Sequence, residues 1–187
     1  MATSNIFKNQ IQNRNFLTPV GFKFILNRAP KVAFFSNQAN IPGINLGTAI
    51  QPTYLKDLDT PGDKLQFNDL VIRFLVDENL ENYMEIQNWM RGLGYPESLQ
   101  EIYNLQNQET FMDTNNTKLM NIYSDATMNV LTSSQNANFK IKYRDVFPVS
   151  LSDLEFDATD EDIRYFTAEA TFKYTIYDIT NLNGDPL

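Results

Sequence analysis

The sequence contains no cysteine and no histidine. The first absence excludes a disulfide framework, an Fe–S cluster and a thiolate nucleophile; the second excludes the Ser-His and Cys-His pairs of common hydrolases. Together they exclude a structural zinc site, whose ligands come mainly from these two residue types. Glycine is scarce too: the seven present are scattered, and none forms GxxxxGKS, GxxxxGKT or GxGxxG, so a phosphate-cradling loop is missing. No apolar run approaches the roughly 20 residues that span a bilayer. The stretch before Phe16 has no apolar core of the kind a secretory leader carries, so neither a membrane span nor a leader is expected. Only carboxylates, Lys, Arg, Tyr, Ser and Thr remain for chemistry. No enzymatic activity, cofactor or metal is expected.

What is present suits one folded domain. The chain has 187 residues, 42% of them apolar and 20% charged, which is the composition of a globular protein rather than a disordered one. Its net charge of −8 is unevenly spread. Lys8, Arg14, Lys23, Arg28, Lys31 and Lys56 all precede the first acidic residue, Asp57, so residues 1–56 carry +6 and the remainder carries −14. The steepest acidic stretch is Asp153, Glu155, Asp157, Asp160, Glu161 and Asp162. Such asymmetry fits a polyanionic partner, an acidic tail, or two surfaces that attract when copies meet. It also fits simple drift in surface composition.

Hydrophobic periodicity predicts a mainly β chain. Val20–Leu26 alternates, with Val20, Phe22, Phe24 and Leu26 on one face. Asn27–Pro30 reads as a hairpin turn and Lys31–Ala39 as the returning strand, ended by Pro42-Gly43. Leu46–Tyr54 is a further strand, Lys56–Asp63 a polar loop, and Leu65–Val76 a strand with Leu70, Ile72, Phe74 and Val76 inward. Asp77 is placed to cap a helix, with Glu78 and Glu81 in its first turn. Leu80, Tyr83, Met84, Ile86, Met90 and Leu93 recur at helical spacing, so the helix runs to about Arg91, where Gly92 and Gly94 stop it. Trp89, on the seam of that face, is expected to pack against the sheet. Glu97–Asn104 suggests a short second helix, followed to Asn121 by a polar surface loop. Strands resume at Asp125–Thr132 and Asn138–Asp145, and the final one, Phe166–Tyr177, alternates throughout. The expected architecture is an antiparallel β-sandwich or barrel with one flanking α-helix, in a single domain without internal repeats.

Three constellations bear on chemistry. The run Asp157–Asp162 offers oxygen ligands suited to Ca²⁺, but it lacks the EF-hand spacing and central glycine, and a solvated loop is the preferred reading. Among 23 acidic residues, none is singled out as the carboxylate pair of a glycosidase. Lys140, Lys142 and Arg144 with Phe139 and Tyr143 resemble a nucleic-acid platform, although the same pattern describes an ordinary amphipathic strand. The overall pI of about 4.5 weighs against tight nucleic-acid binding.

Two blocks of short motifs carry a resemblance that spans most of residues 20–178. Phe34 through Ile44 (FFSNQANIPGI), Gly62 through Leu70 (GDKLQFNDL), and the helix from Val76-Asp77-Glu78-Asn79 to Trp89 form the first. Tyr143 through Phe156 (YRDVFPVSLSDLEF) and the final strand form the second. In order and spacing they resemble the tail tube proteins of contractile-tailed bacteriophages, with residues 95–123 longer than is typical. The resemblance implies homohexameric rings stacked into a hollow tube that conducts DNA during ejection. Its implied partners are other copies of the chain, the sheath, the baseplate and the tail terminator, with genomic DNA only in transit. The implied location is the virion, and the host cytoplasm during assembly. Tube-initiator and tail-terminator proteins share the fold, as do type VI secretion tubes, so these remain alternatives. An acidic or neutral lumen would suit DNA passage. The loop from Asn45 to Asp63 and the N-terminal arm, residues 1–18, are expected to contact neighbouring rings. Pro42, Gly43, Tyr54, Asp57, Asp59, Pro61 and Gly62 are the expected contact residues. Outside this class stands a carbohydrate-binding sandwich that would use Tyr165 and Tyr177, although Glu169, Thr171 and Lys173 lie between them.

Overall fold

The computed structural model describes residues 16–106, 122–157 and 165–187. The expected surface loop over 107–121, residues 1–15 of the arm and the acidic positions 158–164 lie outside these. Elements follow in the order β1 (Phe22–Leu26), α1 (Pro30–Phe34), β2 (Ser36–Ala39), β3 (Ile44–Gln51), β4 (Leu58–Phe67), β5 (Leu70–Leu75), α2 (Glu81–Gly94), α3 (Gln100–Gln106), β6 (Ser124–Leu131), β7 (Ala137–Leu151), β8 (Thr167–Lys173) and β9 (Ile176–Thr180). All strand pairings are antiparallel. The fold is the expected β-rich one, with α2 as its main helix.

Strand β7 organises the molecule. Its first part pairs with β6 on one side and β9 on the other, and β6 in turn pairs with β1. Its last part pairs with β8, which continues to β5 and then β2. The chain turns the corner at Asp145, whose φ of 55° is a left-handed conformation. Register against β6 slips at the same place, as a β-bulge does. The neighbouring chain breaks in step, with Thr175 N donating to Arg144 O at 3.0 Å between β8 and β9. The final strand is therefore two strands, and the break reverses the faces: Tyr177 turns inward opposite Tyr143, while Ile176 turns outward.

Both wings of this folded sheet bury their inner faces in one core. Phe24, Met128 and Ile141 come from one wing; Ile72, Phe74, Ala170 and Phe172 from the other; Ile86 and Trp89 from α2. Trp89 meets the sheet as expected, with its ring 6.3 Å from that of Phe172 and its indole N–H donating to Ile122 O at 3.0 Å. Arg28 is buried over the same indole, 5.3 Å from the ring centroid, and donates to Leu105 O at 3.2 Å. Burial lowers its guanidinium pKa to about 10.

Several local expectations are overturned. Lys31–Ala39 is not one strand. Pro30 occupies the first helical turn, where its missing N–H costs nothing, and Glu85 of α2 accepts the Lys31 N–H at 3.2 Å. Asp77 stands further ahead of α2 than an ordinary cap residue, because the helix starts only after Leu80, in a left-handed conformation with φ 59°. Its carboxylate nevertheless accepts from a first-turn N–H as expected, that of Asn82 at 3.2 Å, while the buried Asn82 side chain accepts from Asp77 N and donates to Leu75 O. Gly92 does not stop the helix. It lies within α2, where a Cβ would sit 3.0 Å from Leu105 atoms, so glycine here lets α3 approach closely. The end comes at Tyr95, again left-handed.

Candidate assembly surface

The expected polar loop Lys56–Asp63 is largely strand. β3 and β4 form a hairpin whose strands pair only with each other and stand apart from the main sheet. Pairing starts with Ile44 opposite Phe67 and Leu46 opposite Leu65, so these four share one face. A bulge follows between Leu46 and Thr48, beyond which Thr48 faces Pro61 and Ile50 faces Asp59. The bulge depends on Gly62: a Cβ there would collide with the carbonyl group of Gly47, lying 2.8 Å from its carbon. At the far end Thr53 Oγ1 accepts from Lys56 N at 3.3 Å and closes the turn.

The base of the hairpin is gripped by the body. Asn68 N donates to Gly43 O at 3.0 Å, and the Asn45 amide donates to Asn68 Oδ1 at 3.1 Å. Two phenols arrive from the β8–β9 corner. Tyr174 donates to Asn68 O at 2.9 Å and Tyr177 to Pro42 O at 3.1 Å. Their rings pack on Phe67 of β4 and on Tyr143 beneath. Burial pushes the Tyr174 phenol up to about 12, with Tyr177 and Asp69 adding to it, and burial raises Tyr143 further still. The Tyr143 hydroxyl has no hydrogen-bond partner among the described residues.

Beyond that base the hairpin covers no core among the described residues. Ile44, Leu46, Ile50 and Leu65 are all exposed, and at the tip Tyr54 and Leu55 are 101% and 91% accessible. Apolar side chains held on an ordered arm with no core beneath them are suited to a surface supplied from outside. All seven expected contact residues fall on this unit: Pro42 and Gly43 at its base, Tyr54 and Asp57 around its tip, Asp59, Pro61 and Gly62 along β4. The exposed Ile44, Leu46, Ile50, Leu55 and Leu65 were not among them, although Ile44, Leu46 and Ile50 stand at i, i+2 and i+6 in the sequence. Tyr174 and Tyr177 were also missed, because a grip across more than a hundred residues leaves no local pattern.

Among the described residues, no three acidic side chains converge as a metal site. None of the described helices is long and apolar enough to cross a membrane. Tyr177, turned inward onto Pro42, does not share an outer face with Tyr165, so the stacking platform of a carbohydrate-binding sandwich is not formed.

Comparison with known proteins decides the family. The family described as phage tail tube protein matches residues 2–180, nearly the whole chain. The chain belongs to the phage tail tube family. Within reach of this tail tube family member is the tail tube terminator protein of Enterobacteria phage T4, 23% identical over 182 residues that cover 95% of this chain and 93% of that one. The fold recurs in the tube-terminating cap of the anti-feeding prophage, with TM-score 0.56, 15% identity and coverage of 95% of this chain and 99% of that one. It recurs also in the sheath–tube complex of the extracellular contractile injection system PVC, with TM-score 0.53, 15% identity and coverage of 97% and 99%. The tail-tube type of structural role follows from family membership.

Proposed function

We propose that this chain terminates the tube of a contractile phage tail, closing as a ring of six copies on the last tube ring. The observation that carries the reading is the end-to-end match to the T4 tube terminator, which leaves little of either chain unaligned. The hairpin supplies the contact. Its apolar face and tip, with Pro42, Gly43, Tyr54, Asp57, Asp59, Pro61 and Gly62, pack against a neighbouring copy. Head-to-tail contacts of this sort close into rings when the rotation between copies divides a full turn. The opposite net charges of residues 1–56 and the remainder favour one orientation at such contacts. The sheath and the tube below are its partners in the virion, assembly takes place in the host cytoplasm, and DNA passes through the ring.

Negative-stain electron microscopy of the purified protein tests this. Discrete rings that bind the ends of isolated tubes are the expected result. Continuous tubes grown from the protein alone would overturn the terminator reading in favour of a main tube subunit, the role that the likeness to the PVC sheath–tube complex favours.

A further inference from the structure

The basic strand residues Lys140, Lys142 and Arg144 are used neither by the core nor by the hairpin. They stand on the outer face of the wing formed by β1, β6, β7 and β9, whose inner face is the buried row of Phe24, Met128 and Ile141. Register places Lys23 opposite Asn129 and Asn129 opposite Lys140, so the two lysines share one row across three strands. Lys142 lies in the next row on that face, between Thr127 and Asp178. The resulting spacings are about 7 Å along β7 and about 10 Å across two strands.

Among the described strand residues two carboxylates share this face, both near the corner at Asp145. Arg144 is paired with Asp178 at 2.5 Å, and Asp125 lies beside the bulge at the same end of β6. The lysines are not neutralised in this way. Lys140 donates to Leu182 O at 3.2 Å, and among the described residues Lys23, Lys140 and Lys142 form no ion pair. A chain of net charge −8 thus carries a flat patch of three unpaired lysines interleaved with Thr127 and Asn129.

We propose that this face binds the phosphate backbone of double-stranded DNA. A protein partner would require desolvated apolar or aromatic anchors at the centre of the contact, whereas the exposed isoleucines of this face, Ile25 and Ile176, lie on its outer strands β1 and β9, and the Lys140–Lys142 stretch of β7 and its neighbours Thr127 and Asn129 on β6 are polar. A phosphate backbone requires spaced cations and polar donors, and reads no sequence through them. The acidity of the rest of the chain is screened beyond about 10 Å at ordinary ionic strength, so the local patch governs close contact. Three lysines bind weakly in one copy. The proposal rests on the ring reading for its strength, since a closed ring repeats the patch around one axis and multiplies the contacts.

The test is fluorescence anisotropy of a short labelled duplex with the assembled protein, titrated between about 50 and 200 mM salt. Affinity should fall steeply with salt. The triple variant Lys23→Gln, Lys140→Gln, Lys142→Gln should bind at least about tenfold more weakly and lower the salt slope by about three for each copy engaged. A control with Lys31→Gln and Arg73→Gln, exposed cations away from both this face and the hairpin, should bind as the native protein does. Circular dichroism and electron microscopy of each variant report folding and assembly. Absent salt-dependent binding, or equal loss in the control, would overturn the proposal. So would a folded triple variant that no longer forms rings, because the face would then be a contact between copies. Tubes in place of single rings would contradict the terminator reading while leaving the DNA result intact.

Discussion

Tyr143, Tyr174 and Tyr177 do at residue scale what no single sequence window announces. Each reads locally as one position of an alternating strand. The break between β8 and β9 turns Tyr177 inward, and the three rings then stack while two hydroxyls reach the hairpin base. A phenol partly withdrawn from water, with Tyr177 and Asp69 beside it, is harder to ionise. The Tyr174 phenol is raised to about 12 from an ordinary value of about 10. The folded chain therefore holds this proton more tightly than the unfolded one. The stability linked to it is complete below about pH 10 and is lost as pH climbs toward about 12. Chemical denaturation followed across that window should show a falling midpoint, and Tyr174→Phe should flatten the fall without removing the share due to Tyr143. An unchanged slope in Tyr174→Phe would remove Tyr174 from the account. Trp89 was legible at this scale, because its place on the helical seam fixed which way it pointed. Arg28 was not, since burial of a guanidinium depends on an indole and a carbonyl contributed by α2 and α3.

At the scale of elements, legibility followed packing. β1, β5, β6 and the inner rows of β7 and β8 bury one face, and their alternation gave them away. Lys31–Ala39 follows a turn and suggests one strand, yet Pro30 and the Glu85 contact with Lys31 favour helix over its first half and leave only Ser36–Ala39 as strand, showing tertiary context overriding a short pattern. The first part of β4, to Asp63, was read as a loop because Asp57, Asp59, Pro61, Gly62 and Asp63 are turn-forming residues. Paired only with β3 and exposed, it buries nothing that would leave an apolar period. Gly62 is the residue on which this hairpin turns. Gly62→Ala places a methyl group against the Gly47 carbonyl and should cost about 1–3 kcal/mol of local structure. Because the hairpin lies outside the core, the melting temperature should move little while assembly weakens at least about tenfold. Circular dichroism with mass photometry checks both, and full assembly by Gly62→Ala would show that the bulge does not shape the contact.

The whole molecule leaves the apolar face of one ordered hairpin bare. The tail tube family was legible because its motifs keep their order along the chain, from FFSNQANIPGI to the final strand. The corner at Asp145 was not, since one left-handed residue inside a fifteen-residue strand has no periodic signature. Charge tells the same story of segregation. The net −8 conceals three lysines on one wing and apolar residues along one arm. Both surfaces point to work done between molecules rather than at a catalytic centre.

The claim on which the rest depends is that the exposed face of the β3–β4 hairpin drives assembly. Sedimentation velocity of the native protein beside Leu46→Ser, Ile50→Ser, Leu65→Ser tests it most directly. The account predicts a closed ring for the native chain and a folded monomer for the variant, with the same far-ultraviolet circular dichroism for the core. A variant that sediments as the same ring as the native protein would contradict it.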